Sequence, residues 1–107
     1  MKYGNPIDHR KREARDELRR GFVACNVPDH LRDGLEAHCL HGQAVGSFLT
    51  ACLENDLLGA VTRADPESMA GLQGIAKLLY NFAPPGSWGS KDKVRDWRGR
   101  GGLGSLA

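Results

Sequence analysis

The sequence predicts an all-α protein, a single small bundle of about five helices with a flexible C-terminal tail. Three observations predict it. Apolar residues recur three and four apart along most of the chain, the spacing that lines one face of a helix. Helix-start chemistry precedes those stretches, most plainly at Asp65-Pro66-Glu67, where a capping residue, a proline for the first helical position and an acid follow one another. No segment shows a convincing alternation of period two, and no repeat is visible. A chain of 107 residues fits one domain with one modest core.

The first helix is expected from about Asp8 to Arg20, ended by Gly21 in the left-handed position past a helix terminus. Its apolar stripe (Ile7, Ala14, Leu18, Phe22) is thin enough to dock on a body but not to hold a core. The pairs Asp8/Arg12, Arg12/Asp16 and Asp16/Arg20 stand at i,i+4 and add a few tenths of a kcal/mol each. Residues 1–21 therefore read as a charged, basic helical extension, residues 22–98 as the helical core domain and residues 99–107 as the tail.

Pro28 prevents a helix from running through from Phe22, so a second helix starts near Asp29 and buries Leu31, Leu35 and Cys39 until Gly42 stops it. Ser47 is a candidate cap for a stripe of Phe48, Leu49, Cys52 and Leu53. Asn55-Asp56 leaves open whether residues 47–63 form one helix or two. From Pro66 one long helix to Phe82 is expected, with Met69, Leu72, Ile75, Ala76, Leu79 and Phe82 on its buried face. Ala83-Pro84-Pro85-Gly86 ends it. Ser90 then caps a short helix from Lys91 to about Arg98, onto which Trp88 could staple. Tyr80, Phe82, Trp88 and Trp97 are expected to form a core cluster that locks this last helix onto the long one.

Composition narrows the function. Nothing approaches the roughly 18 continuous apolar residues of a membrane span. The N-terminal residues carry no apolar secretory h-region, so the expected location is the bacterial cytoplasm. Cys25, Cys39 and Cys52 are an odd, widely spaced set without a Cys-x-x-Cys pair, which suits reduced thiols acting as small hydrophobes. His38-Cys39-x-His41 is the nearest approach to a metal motif. Only its two histidines share a turn and no second ligand pair exists, so neither a metal nor a cofactor is expected; His38 and His41 read as helix-edge histidines. No nucleophile elbow, catalytic signature or phosphate-binding loop frames the available Ser, Cys and His residues, so an enzyme is not expected.

Charge is uneven. Residues 1–21 hold seven Lys/Arg against four Asp/Glu, residues 22–90 three against seven, and residues 91–107 five against two. An acidic body thus lies between two basic ends. Asp33, Glu36 and Glu54 could meet a Lys/Arg-lined groove on a protein partner. Arg12, Arg15, Arg19, Arg95 and Arg98 could instead neutralise phosphates, although interleaved acids dilute their field.

From Val27 onward the chain resembles a group of small phage- and prophage-encoded helical proteins of proteobacteria without an assigned function. The resemblance is carried by Val27-Pro28-Asp29-His30-Leu31-Arg32-Asp33-Gly34-Leu35, by Gly46-Ser47-Phe48-Leu49-Thr50-Ala51, by Leu53-Glu54-Asn55-Asp56-Leu57 and by Arg63-Ala64-Asp65. Leu79-Tyr80-Asn81-Phe82-Ala83-Pro84 and Trp88-Gly89-Ser90, followed by Val94 and Trp97, complete it over about two thirds of the chain. His38 stands where the group tends to have an aromatic, and residues 1–21 look like an addition. The group brings no catalytic residues. Small accessory phage proteins often act by stoichiometric binding to host machinery, with anti-CRISPR proteins the prime example. The resemblance thus implies a phage-derived, non-enzymatic inhibitor of a host defence complex, either a protein or a ribonucleoprotein such as a CRISPR effector. The alternative is a small nucleic-acid-binding regulator that uses the basic ends.

Overall fold

The computed structural model describes residues 6–104, with side chains from His9 to Leu103. These residues form seven α-helices and one closing 3-10 turn, with no strand. The helices are α1 (Pro6–Ala24), α2 (Asp29–His41), α3 (Ser47–Leu53), α4 (Leu57–Arg63), α5 (Pro66–Ala70), α6 (Leu72–Phe82) and α7 (Lys91–Gly99), and the turn is Gly102–Gly104. The all-α expectation holds; the count exceeds about five because residues 47–63, left open as one helix or two, form two, and the long helix expected from Pro66 is divided.

The first helix departs from expectation at its end. Gly21 lies inside α1, not after it, because α1 crosses α6 there. A Cβ at Gly21 would stand 2.6 Å from Phe82 Cγ and 2.7 Å from Leu78 Cδ1, so only glycine permits the approach. The left-handed end position belongs to Asn26, with φ 55°. Around it the Val27 N–H reaches the Phe22 carbonyl at 2.9 Å and the Asn26 N–H the Val23 carbonyl at 3.2 Å, the paired bonds of a Schellman ending. Leu18 and Phe22 are buried in the main core. The proposed boundary at residue 21 therefore falls within an element that belongs to the core. Among the described side chains, the i,i+4 pairs expected of Arg12, Asp16 and Arg20 do not form. Arg20 turns to Glu17 at 2.6 Å, Arg15 to Asp16 at 3.7 Å, and His9 pairs with Glu13 at 3.4 Å. Ile7 and Asp8 lie outside the described side chains.

α2 follows the sequence reading, burying Leu31, Leu35 and Cys39 and ending at Gly42 with φ 68°. Its correction is His38, which is fully buried where a helix-edge position was expected. Residues 47–63 form two helices. Asn55 takes a left-handed conformation, and the Asp56 side chain accepts the Gly59 N–H at 3.0 Å to restart the chain as α4. Asp65 caps α5 by accepting the Ser68 N–H at 2.7 Å, and Ser90 caps α7 by accepting the Lys93 N–H at 3.1 Å.

The long helix expected from Pro66 is interrupted at Gly71, where the Pro28 ring packs so closely that a Cβ would collide with it. The interruption changes the buried register. Ser68, Ile75, Leu78 and Leu79 face inward, whereas Met69 and Ala76 are exposed.

The glycine-rich C-terminal stretch is ordered as far as it is described. Gly99 closes α7, and Leu103 in the 3-10 turn is buried against the core beside α1 and α2. Gly42 and Gly102 both have positive φ, and a Cβ on Gly102 would lie 2.7 Å from the Gly42 nitrogen. Two glycines thus let two backbones touch, which overturns a flexible tail for residues 99–104. Residues 105–107 lie outside the described residues.

Candidate binding groove

The α3–α4 turn directs the chemistry of the exposed face. α4 packs beside α3 with Ala60 buried in the core, while Gly59 is covered by the side chains of Asp56 and Arg63 from the two ends of its own helix. Leu57 and Leu58 are consequently left 66% and 77% exposed, and Val61 on the same helix is exposed as well. α6 buries Ile75, Leu78 and Leu79, which places Tyr80 off the inward stripe at 80% exposure. Between these helices lies a groove of about 530 Å³, with Leu57 and Tyr80 at its walls and Cys52, Ala60, Leu72 and Trp88 among its apolar lining. Asp56 and Lys77 are its charged lining residues, beside the neutral amides of Asn55, Gln73 and Asn81. Burial pushes the Cys52 thiol up to about 11, so it remains a protonated, apolar part of the lining at neutral pH.

This groove escaped the sequence reading, and the aromatic cluster expected as one unit is divided. Trp97 is buried, Phe82 and Trp88 are half-buried against the core, and Tyr80 stands in solvent. One signal was available. The short α4 segment has Leu57, Leu58, Gly59, Ala60 and Val61 in succession, more apolar positions than one face of a seven-residue helix can bury.

The charged residues singled out in the sequence are not gathered into one site. Asp33 is exposed on α2, and Glu54 is half-buried at the end of α3. Glu36 is joined to Arg19 by two bonds, Arg19 Nε to Oε1 at 2.9 Å and Arg19 Nη2 to Oε2 at 3.1 Å. That pairing raises the Arg19 pKa, first through the hydrogen bond and then through the charge of Glu36. A candidate protein contact and a candidate phosphate contact thus neutralise each other. Arg95 approaches Asp92 at 3.3 Å and Asp96 at 3.4 Å, and Arg98 donates to Thr50 Oγ1 at 3.1 Å. Arg15 lies beside Asp16, and Arg12 is exposed on α1.

Two polar clusters could suggest chemistry. His38 Nε2 donates to the Ser87 carbonyl at 2.8 Å, which leaves Nδ1 as a buried acceptor without a partner. Burial lowers the His38 pKa, and nearby Arg98 acts in the same direction against the Ser87 carbonyl. Neighbouring Cys39 is pushed up to about 12 by burial, which keeps it an unreactive thiol. His41 points elsewhere, 3.1 Å from Lys11 Nζ, so the two histidines of the turn diverge. Among the described residues, no group of three or more His, Cys, Asp or Glu is placed to hold a metal ion.

The second cluster joins His30 Nε2 to Ser68 Oγ at 3.2 Å beside Asp65. Ser68 is buried, and hydrogen bonds from its backbone N–H and then its hydroxyl lower the Asp65 pKa. The Ser68 backbone and hydroxyl thus take part in the α5 cap, at the edge of a hollow that His30, Asp65 and Ser68 line together. No helix of the described residues is long and apolar enough to cross a membrane. Comparison of the chain with family models, with curated proteins and with solved structures finds no match, so the resemblance to the phage group rests on the quoted residues alone.

Proposed function

We propose that this chain is a non-enzymatic binding protein that inhibits a host defence complex by stoichiometric binding, with the α4–α6 groove as its docking surface. The observation that carries the docking role is the exposure of Leu57 and Tyr80 at the walls of an apolar hollow, with Leu58 exposed on the same helix as Leu57. Scattered exposed apolar residues are ordinary, but large ones assembled at a groove are typical of interaction sites. The choice of a host defence complex, such as a CRISPR effector, derives from the phage resemblance and from the small size of the chain. The acidic residues first considered for the contact fit less well, since Glu36 is already neutralised by Arg19. Pairing of Arg19 and Arg95 with acids likewise weighs against a nucleic-acid footprint on the same side chains.

The test expresses wild-type protein and Leu58→Asp in a bacterial host whose CRISPR system targets a plasmid. Wild type is expected to rescue the plasmid and to co-purify with a defence component, and Leu58→Asp to lose both while remaining folded. Full interference despite wild-type expression would remove the host-defence reading. Equal capture of the partner by the variant would move the docking surface away from the groove.

A further inference from the structure

The groove has a ridge beside it. Leu57, Leu58 and Val61 project from α4, while the hollow bounded by Leu57 and Tyr80 lies next to that helix. A two-fold contact can use this arrangement, because rotation sets the ridge of one copy against the hollow of the other and repeats the contact in reverse. The charges are also arranged for self-pairing. Asp56 belongs to the α4 wall and Lys77 to the α6 wall, and the other polar lining residues are neutral. An acidic segment laid in the groove meets Asp56 as a like charge, and a basic one meets Lys77. A rotated second copy offers Lys77 to Asp56 and Asp56 to Lys77.

We infer that, in the absence of its partner, the groove is covered by a second copy of this chain, giving a reversible two-fold dimer that must separate before the partner binds. The inference rests on the docking role proposed above and names how that surface is regulated. An apolar patch on the order of a few hundred Å² per copy falls below the roughly 800 Å² per partner of a standard stable interface. The dimer is therefore weak and concentration-dependent, as a releasable cover must be.

Sedimentation of the full chain from micromolar to millimolar concentration tests this, using wild type, Leu58→Asp, Lys77→Glu, Asp56→Lys and an equimolar mixture of the last two. Wild type is expected to pass from monomer to dimer with rising concentration. Each charge variant should weaken self-association by about tenfold or more, as like charges opposed across an interface do. Their mixture should recover association, because each variant then carries the charges that match the other. Leu58→Asp should abolish the dimer with an unchanged far-ultraviolet circular dichroism spectrum.

Asp56 also caps α4, so if Asp56→Lys alters that spectrum, Lys77→Glu and Leu58→Asp decide the outcome. A wild type that is monomeric at millimolar concentration overturns the inference, as does a dimer indifferent to Leu58→Asp and Lys77→Glu. So does a mixture of folded charge variants that fails to associate. A monomeric wild type that loses its host partner on Leu58→Asp would overturn self-association and leave the docking role intact. A dimer broken by these variants without any change in partner capture or plasmid rescue would support self-association but overturn its role as a cover, because the partner would then dock away from the groove.

Discussion

The two sides of the molecule use aromatic and apolar residues in opposite ways. Where α2, α7 and the 3-10 turn meet, Trp97 is 2% exposed and its indole N–H donates to the His38 carbonyl at 2.8 Å. The Arg100 guanidinium lies 5.1 Å from the centre of the Trp97 ring and covers it from solvent. Along α4 and α6, Leu57 and Tyr80 stand in solvent at a hollow that the described residues leave open, and Leu58 is exposed on α4. Hydrophobicity alone therefore does not mark the core of this protein. The first side buries its apolar surface in folding, whereas the second keeps it exposed, which is the basis of the docking role proposed above.

Substitutions should separate the two sides by size of effect. Trp97→Ala is expected to be the most damaging, costing roughly 3–5 kcal/mol out of a total on the order of 5–15. A thermal melt with unchanged midpoint would contradict its place in the core. Leu103→Ala should follow at about 2 kcal/mol, near the lower end for a buried leucine, because its site is at the edge of the core. Denaturant unfolding measures this, and a loss near zero would return the glycine-rich segment to the role of a loose tail.

His38 adds a pH dependence to the same side. Burial lowers its folded pKa below the ordinary value of 6.5, so the unfolded chain takes up the proton first as pH falls. Stability is therefore retained above about pH 6.5 and declines as pH falls toward the lowered folded value. His38→Phe should remove this part of the pH dependence in melts recorded between neutral and mildly acidic pH. A slope unchanged by that substitution would place the proton uptake elsewhere. Leu58→Asp, on the other side, should change stability by no more than about 0.5 kcal/mol, as exposed positions generally do. A large loss of stability there would make Leu58 a core residue and remove the contrast.

The sequence made short-range chemistry legible. Asp56, Asp65 and Ser90 cap the helices that follow them, because a cap depends on a side chain and a backbone N–H only three residues away. The Leu31, Leu35, Cys39 stripe was legible for a similar reason, since one helix period decides which positions share a face. Features that depend on a distant neighbour were not. Gly21 resembled a helix end, yet its small size serves a crossing with Phe82 and Leu78. Gly71, where a strong helical pattern is interrupted, has no room for a side chain because Pro28, far away in the chain, packs on it. Nothing near His38 announces that Ser87 will supply its hydrogen-bond acceptor. The groove belongs to the same class, because only the packing of α4 on α3 decides which of its crowded apolar residues remain outside.

The docked 3-10 turn has a consequence for synthesis. α1 and α2 are made before the 3-10 turn, and the seat they share stays open until Leu103 has been added. A nascent chain halted before that residue carries an unfilled hydrophobic notch. Native packing of this seat should therefore follow the synthesis of Leu103, and chains cut short before it should be recognised by chaperones or proteases.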